Sequence, residues 1–476
     1  MRLDNRGSDA APPTDHPTAH FDAVVVGAGP GGLFAALRAL SGGFRKILIV
    51  DAGDDVAERL RARQDRPDDS QVITTGFGGA GLFSDGKLCL SHRIGSTIAH
   101  RFPAAQVLER QRAIDEQIRS GDAAPLLGSD AAAADLQRRA NRAGMEYLHY
   151  PIRHVGSDQL PGMLRRLRAT LAARADIRCR TRVVGVRPSG RPGARWTLQL
   201  QSDRGVDKVS TDHVVLAPGK VGAAWLDALG TQLGLSRIAA QPKLGFRLEG
   251  PKDFLQPLLA AAGDPKLIWN AGGGAEVRTH CVCFGGDVVP ARYDGLLLVG
   301  GHATSSHDAN RSNTAVIATA GTALPLTAAD ARGIVAGINE RHRGVLAQRL
   351  GDFLEDSPST QSPGSAARLF APSMPTASGG DLGTEFPAAI VALLREYLHK
   401  LVKLCPQALH PDNQLYGPAV ERWATRFAVS NEMEAEQPGL FLVGDGPGLT
   451  GGIIGAADSG WLAGDAIAAR YATTSS

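Results

Sequence analysis

The segment from Phe21 to Asp51 constrains the fold more than any other part of this chain. An apolar run, Ala23 to Val26, breaks at Gly27-Ala28-Gly29-Pro30-Gly31-Gly32. Leu33, Phe34, Leu37 and Leu40 then recur at helical spacing until Gly42-Gly43, and a second apolar run, Ile47 to Val50, ends in Asp51. The order strand, tight glycine turn, helix, strand, acid is the βαβ arrangement that seats a dinucleotide. Gly27 permits the tight turn, Gly29 lets the backbone approach a pyrophosphate, and Gly32 lets the helix pack close on the strand. Free N–H groups and the positive end of the helix dipole face the phosphates. Asp51, nineteen residues after Gly32, suits both ribose hydroxyls and repels a 2′-phosphate, so FAD or NAD fits better than NADP.

At 476 residues the chain is long enough for two domains, or three by length alone. The 51 basic and 48 acidic residues leave a net charge of +3, and like charges form no long block. That balance predicts no nucleic-acid partner and no membrane surface. Nor is any apolar run long enough to span a bilayer. Five cysteines, Cys89, Cys179, Cys281, Cys283 and Cys405, read as thiols in a reducing compartment rather than a disulfide framework. Residues 1–20 are polar, carry Pro12, Pro13 and Pro17 and lack a signal peptide's apolar core. They read as a disordered lead-in to a cytoplasmic enzyme.

Three further segments separate FAD from NAD. Gly76 to Gly86 holds five glycines in eleven residues and leads to Lys87, so it brings bare backbone and one charge against a ligand. Ser157 or Asp158 is expected to cap a helix with Leu160, Met163, Leu164, Leu167 and Leu171 on one face. A strand through Val183, Val184 and Val186 follows, then a hairpin ending at Ala217-Pro218-Gly219. Near the C-terminus, an apolar strand from Leu440 to Val443 ends in Gly444-Asp445, and a second helix begins at Gly451-Gly452-Ile453. Asp445 suits a ribityl hydroxyl or a phosphate-bridging water, and that helix dipole suits developing negative charge on a reduced flavin. An NAD-only enzyme needs no such distant half-site, whereas FAD held by both ends of the chain does.

The pairing of VVVGAGPGGL with GLFLVGDGPGLTGGI resembles the glutathione-reductase-type FAD-binding fold. GFGGAGLFSDGKL, RHVGSDQL, VVLAPGKVGAAW, LGFRLEGP and THCVCFGGDVV, in that order, resemble a largely uncharacterised bacterial family of FAD-dependent dehydrogenases. The resemblance covers about residues 21 to 470. It implies an α/β fold, a Rossmann-like FAD-binding domain with an inserted α+β substrate domain. It further implies cofactor contacts at Gly27, Gly29, Gly32, Asp51, Gly79, Gly81, Lys87, Val183, Gly219, Asp445 and Gly452, to which Gly444 and Ile453 of the second half-site are added. The chain departs from the family at Phe284, where proline is usual, and at Asp445, where glutamate is usual. It departs again after Glu421, where Arg422 to Phe427 replace a Thr/Ser-rich run.

The expected division is a lead-in at 1–20, an FAD-binding domain at 21–95 with 145–240 and 415–476, a helical excursion at 96–144, and a substrate domain at 241–414. Helical segments are expected at about 327–354 and 387–404. The Ser/Pro/Gly-rich loop 356–385 between them reads either as disordered or as a lid over a site, the lid being favoured. Arg247, on one face with Gly245 and Glu249 by period two, either orients an anionic substrate or pairs with Glu249. His302, Ser305, Ser306, His307, Asp308, Asn310, Arg311 and Asn313 crowd one turn and either bind a polar substrate or form a solvated loop. Cys281 and Cys283 fall on the same face of a strand. They read either as a redox pair or as structural thiols near the flavin. The second is favoured because no helix N-terminus lowers a thiol pKa there and no histidine/cysteine constellation supplies a metal set.

The function expected is hydride transfer between flavin N5 and a small organic substrate, with Lys87, Arg247 and Asn313 as candidate catalytic residues. No second GxGxxG follows a strand, so electrons come from the substrate, from NAD(P)H in an unmarked groove, or from a separate protein donor or acceptor. A monooxygenase or oxidase is the alternative. Only six residues separate Asp445 from Gly452, whereas aromatic hydroxylases of this fold carry a longer His- and Pro-bearing stretch. A flavin-bound RNA-modifying or scaffold protein is a further alternative, which the near-neutral charge disfavours.

Overall fold

The computed structural model describes residues 19–66, 69–121, 125–127, 130–190, 192–259, 261–293, 295–304, 306–365 and 369–474. Residues 1–18, most of the expected lead-in, lie outside these; the first strand already begins at Ala19. Five parallel strands lie in the order Asp176–Arg178, Ile47–Val50, Ala19–Val26, Gly205–Leu216 and Leu440–Leu442. Val24, Val25 and all of Ile47 to Val50 are buried, the unbroken apolar pattern of a parallel sheet covered on both faces. The first half of Gly205–Leu216 also pairs antiparallel with Trp196–Ser202, which pairs with Arg182–Pro188. Leu216 lies opposite Val26 on one side and Leu442 on the other, and Val443 N–H donates to the Leu216 carbonyl at 3.0 Å. Both ends of the described chain therefore share one sheet.

The helices after those two strands pack face to face. Pro30–Ser41 starts with Pro30, whose missing N–H costs nothing in a first turn. It lies against Ile453–Thr474, and the contact is made of small residues. A Cβ on Gly464 would come 2.5 Å from the Ala35 carbonyl oxygen, and one on Gly42 would come 2.1 Å from Ala468 Cβ. The expected cap of the helix Leu160–Ala172 is corrected: Gln159 holds that position and its side chain makes no capping hydrogen bond.

A second sheet of eight strands runs Ser378–Gly379, Leu346–Arg349, Gln414–Glu421, Lys243–Pro251, Arg311–Ala320, Ala275–Cys283, Lys266–Gly272 and Glu146–Leu148. The helix Ala388–Leu401 covers it with Ile390, Leu394, Tyr397 and Leu398. Tyr397 donates its hydroxyl hydrogen to the Leu267 carbonyl at 2.8 Å and accepts from Thr279 N–H at 3.1 Å.

Three expected boundaries change. Glu146–Leu148, expected within the cofactor domain, pairs with Lys266 to Ile268 of the second sheet. Gln414–Glu421, placed across the return to the cofactor domain, lies inside the second sheet between Lys243–Pro251 and Leu346–Arg349. A short apolar strand does not encode which sheet it joins; long-range pairing decides that. The helical run expected over 327–354 divides into helices Ala328–His342 and Leu350–Leu354, with strand Leu346–Arg349 between. The excursion at 96–144 carries helices Ala104–Arg119 and Asp130–Arg142.

Candidate functional site

Four loops meet at the carboxyl ends of the parallel strands, where α/β sheets hold ligands. Asp51 accepts Ala28 N–H on one carboxylate oxygen at 2.8 Å and Gly53 N–H on the other at 2.9 Å. Each oxygen keeps a further lone pair. The glycines divide by cause. A Cβ on Gly27 (φ +102°) would lie 2.1 Å from the Ala217 carbonyl oxygen, and one on Gly32 would lie 2.0 Å from that of Gly27. Protein packing therefore demands these two glycines. At Gly29 a Cβ would meet nothing nearer than Gly79 Cα at 3.9 Å, and at Gly219 and Gly452 nothing within 4 Å. Here the bare backbone borders open space.

The loop after Gly76 is sewn to the first turn, since Gly78 N–H donates to the Ala28 carbonyl at 2.8 Å. Gly81 faces Pro30 and Ile453. On the C-terminal side, Gly444 N–H donates to Ser459 Oγ at 2.9 Å. Asp445 accepts the Thr450 hydroxyl at 2.8 Å and lies 3.8 Å from Lys220 Nζ. Burial raises the Asp445 pKa, with Lys220 and Thr450 opposing. Gly446 approaches the Gly219 carbonyl, which closes the ring of loops. Val183 is buried two residues beyond Thr181, whose N–H donates to the Asp51 carbonyl at 2.8 Å. Asp51's environment thus links the first turn to the strand carrying Val183.

The three expected catalytic residues also come together, but around the thiols. Lys87 Nζ lies 2.9 Å from Asp85 Oδ2 and 3.9 Å from Cys281 Sγ, and donates to the Val282 carbonyl. Arg247 Nε donates to Asn313 Oδ1 at 2.6 Å, and its Nη2 donates to the Cys281 carbonyl at 2.6 Å. Asn313 Nδ2 donates to the Gly286 carbonyl at 2.9 Å. Burial opposes the charge on both Asp85 and Lys87. Their mutual attraction, with His154 acting on Asp85 and with Cys281, Cys283 and Asp264 acting on Lys87, outweighs burial and holds the carboxylate below and the ammonium above their ordinary ranges.

Two pleat-based expectations are corrected here. Arg247 does not pair with Glu249: the register shifts between Gly245 and Arg247, and Glu249 instead accepts Ser373 N–H at 3.0 Å together with the Ser373 hydroxyl. Cys281 and Cys283 do not sit on a regular strand. Cys281 has φ +52°, the register shifts between His280 and Cys283, and the sulfurs lie 3.8 Å apart. Period-two reasoning fails at a bulge, because the extra residue re-aims the side chains. Asp85 joins Cys281 and Cys283 within 4.8 Å, a grouping that strand periodicity does not reveal. The signal was present in Asp85-Gly86-Lys87, an acid and a base flanking a glycine.

A polar cavity of about 320 Å³ is lined by Thr97, Lys243, Glu276, Arg422, Arg426 and Gly448. Burial, reinforced by Arg278, brings the Lys243 ammonium down to about 8. Arg426 is pulled down by burial and then by Arg101 and Arg422, and its buried Nε has no hydrogen-bond partner among the described residues. Sequence reasoning assigned these residues no role, although Arg422 and Arg426 stand four apart. The turn around His302 disperses. Arg311 binds Asp287 at 2.7 Å, His307 Nδ1 lies 2.9 Å from the Phe284 carbonyl, and the Ser306 hydroxyl donates to Asp308. Lys252 N–H donates to the Asn310 carbonyl at 3.2 Å, and Ser305 lies outside the described residues. The described residues of 356–385 are tied to the sheet through Ser359, Ser373 and the pairing of Ser378–Gly379 with Leu346 and Ala347.

No family model matches the chain. It is 25% identical over 473 residues to an uncharacterised protein from Clostridium beijerinckii, covering 92% of this chain and 79% of that one. Its structure is similar to a glycine oxidase from Geobacillus kaustophilus (16% identity, 95% of each chain, TM-score 0.40). It is also similar to a flavoprotein/dehydrogenase from Cytophaga hutchinsonii (10% identity, 95% of this chain and 79% of that one, TM-score 0.41). A p-nitrophenol 4-monooxygenase from Pseudomonas putida matches at 12% identity, 96% and 82% coverage and a TM-score of 0.40. At this level of likeness the functional reading rests on the chain's own site. No described helix is long and apolar enough to cross a membrane.

Proposed function

We propose that this chain is an FAD-dependent oxidoreductase of the dehydrogenase or reductase type, acting on a small anionic organic substrate. One observation carries the reading: the strands that lead to Gly29 and to Asp445 both pair with Gly205–Leu216 in one sheet, so the turns from both ends of the chain follow its carboxyl edge. A dinucleotide fits that donor set. Gly29 and the start of helix Pro30–Ser41 take the pyrophosphate, Asp51 the adenosine ribose, and the turn from Asp445 to Gly452 the flavin end. Bound there, FAD supplies hydride chemistry that no side chain of the protein can supply. Lys220 adds positive charge beside Asp445, and the helix Ile453–Thr474 adds its positive dipole end. Lys243, Arg422 and Arg426 line the polar cavity and make it suited to a carboxylate. The substrate itself, NAD(P)H and a separate protein partner are the candidate electron donors.

The test is anaerobic titration of the purified flavoprotein. Reduction by an organic acid supports the dehydrogenase reading. Rapid reduction by NAD(P)H alone, with peroxide formed in air, points to an oxygenase or reductase. Colourless protein that takes up no FAD overturns the assignment.

A further inference from the structure

Cys281 and Cys283 are free, with their sulfurs 3.8 Å apart in a strand bent by the positive φ of Cys281. Their accessibility differs: Cys281 is partly exposed, whereas Cys283 is fully buried. Lys87 Nζ stands 3.9 Å from Cys281 Sγ, and Arg247 Nη2 stands 3.6 Å from Cys283 Sγ. Gly301 makes this possible, because a Cβ there would lie 2.3 Å from Arg247 Nη2 and 2.5 Å from Cys283 Sγ.

Asp85, the third potential ligand, is already held by Lys87 at 2.9 Å. Lys87 and Arg247 favour a thiolate at Cys281 over Asp85, whose Oδ2 lies 3.6 Å from Cys281 Sγ and opposes it. We propose that Cys281 and Cys283 form a redox-active dithiol that reduces a low-molecular-weight disulfide, Cys281 attacking and Cys283 resolving.

The exchange balances without a further reactant. The Cys281 thiolate attacks one sulfur of R–S–S–R, forming a mixed disulfide and expelling RS⁻. Cys283 gives up its proton and attacks the Cys281 sulfur, closing the intrachain disulfide and expelling the second RS⁻. Two protons and two electrons pass to two RSH. The hydrogen bond from Cys283, with Lys87 and Arg247, draws the Cys281 thiol below its ordinary range, and the same contact with burial drives Cys283 far above it. Burial pushes Cys89, Cys179 and Cys405 up to about 12, which leaves Cys281 as the reactive thiol. The inference is independent of the flavin reading, since this exchange needs no bound cofactor.

The test equilibrates the purified protein with oxidised glutathione, then alkylates and maps it by mass spectrometry. The expected product is a single disulfide within the peptide holding Cys281 and Cys283, reversible by dithiothreitol. Cys283→Ser should trap glutathione on Cys281, and Cys281→Ser should take up none. In the untreated protein Cys281 should alkylate first, with a midpoint below that of a free thiol, set by Cys283, Lys87, Asp85 and Arg247 around it. Two thiols still free after glutathione treatment would overturn the proposal. So would stoichiometric zinc uptake that protects both from alkylation. Flavin content, measured on the same samples, reports separately on the cofactor site.

Discussion

The carbonyl oxygen of Gly31 and the bare Cα of Gly460 meet so closely that a Cβ on Gly460 would lie 1.9 Å from that oxygen. Gly31 belongs to the first turn after the N-terminal strand, and Gly460 to the C-terminal helix. Their contact fixes how far apart the two halves of the proposed cofactor site stand. Gly460→Ala should therefore cost about 1–3 kcal/mol through overpacking. Its flavin affinity should fall with it, measured by thermal melting and flavin-fluorescence titration. An unchanged melting temperature would show that the helices can separate freely.

Gly29 and Gly32 should separate ligand binding from folding. A Cβ at Gly29 meets only Gly79 Cα at 3.9 Å, whereas one at Gly32 strikes the Gly27 carbonyl at 2.0 Å. Gly29→Ala should keep a near-native melting temperature and lose at least tenfold in FAD affinity. Gly32→Ala should melt markedly lower even without cofactor. Full flavin loading in Gly29→Ala would remove the pyrophosphate from that turn.

Asp51→Ala leaves the N–H groups of Ala28 and Gly53 without their acceptor. The expected stability cost is about 1–3 kcal/mol, together with reduced flavin content. Asp51→Asn keeps one acceptor oxygen and should recover part of the stability. Equal flavin content in wild type and both variants would exclude a ribose contact at Asp51.

Arg247 is 3% exposed and holds Asn313 and the Cys281 carbonyl. Arg247→Ala should destabilise by about 1–3 kcal/mol for each buried acceptor left without its donor, Asn313 Oδ1 and the Cys281 carbonyl. Flavin loading of the folded fraction should be spared. Arg247→Lys should not restore stability, since one ammonium cannot reproduce the guanidinium fork.

Stability should fall as pH drops below 6.5. Burial lowers His280 to about 3 and His154 to about 4 from an ordinary 6.5. The unfolded chain therefore binds these protons first, and the folded state loses ground from pH 6.5 downward. Asp85 and Glu421 act with the same sign at lower pH. Despite burial, Lys87 and Arg278 hold them below their ordinary ranges, so the stability they contribute disappears as pH falls through their folded values. Melting temperature should drop by several degrees between pH 7 and pH 5, and His280→Gln should flatten the slope. A flat profile would mean that both imidazoles charge in the folded state.

Local sequence determined much of this molecule. Glycines that must turn tightly, apolar strands buried on both faces and an acid closing the second strand are short-range consequences of backbone geometry and hydrophobicity. They make the first βαβ unit legible, together with the strand through Val183 to Val186 and the hairpin that follows it. Tertiary structure alone decided that Leu216 would join Val26 to Leu442, and that Gln414–Glu421 would enter the second sheet. It also decided that a bulge at Cys281 would gather Lys87, Asp85, Arg247 and Cys283. Such pairings are chosen by register and packing between residues up to hundreds of positions apart, and no local pattern carries that information.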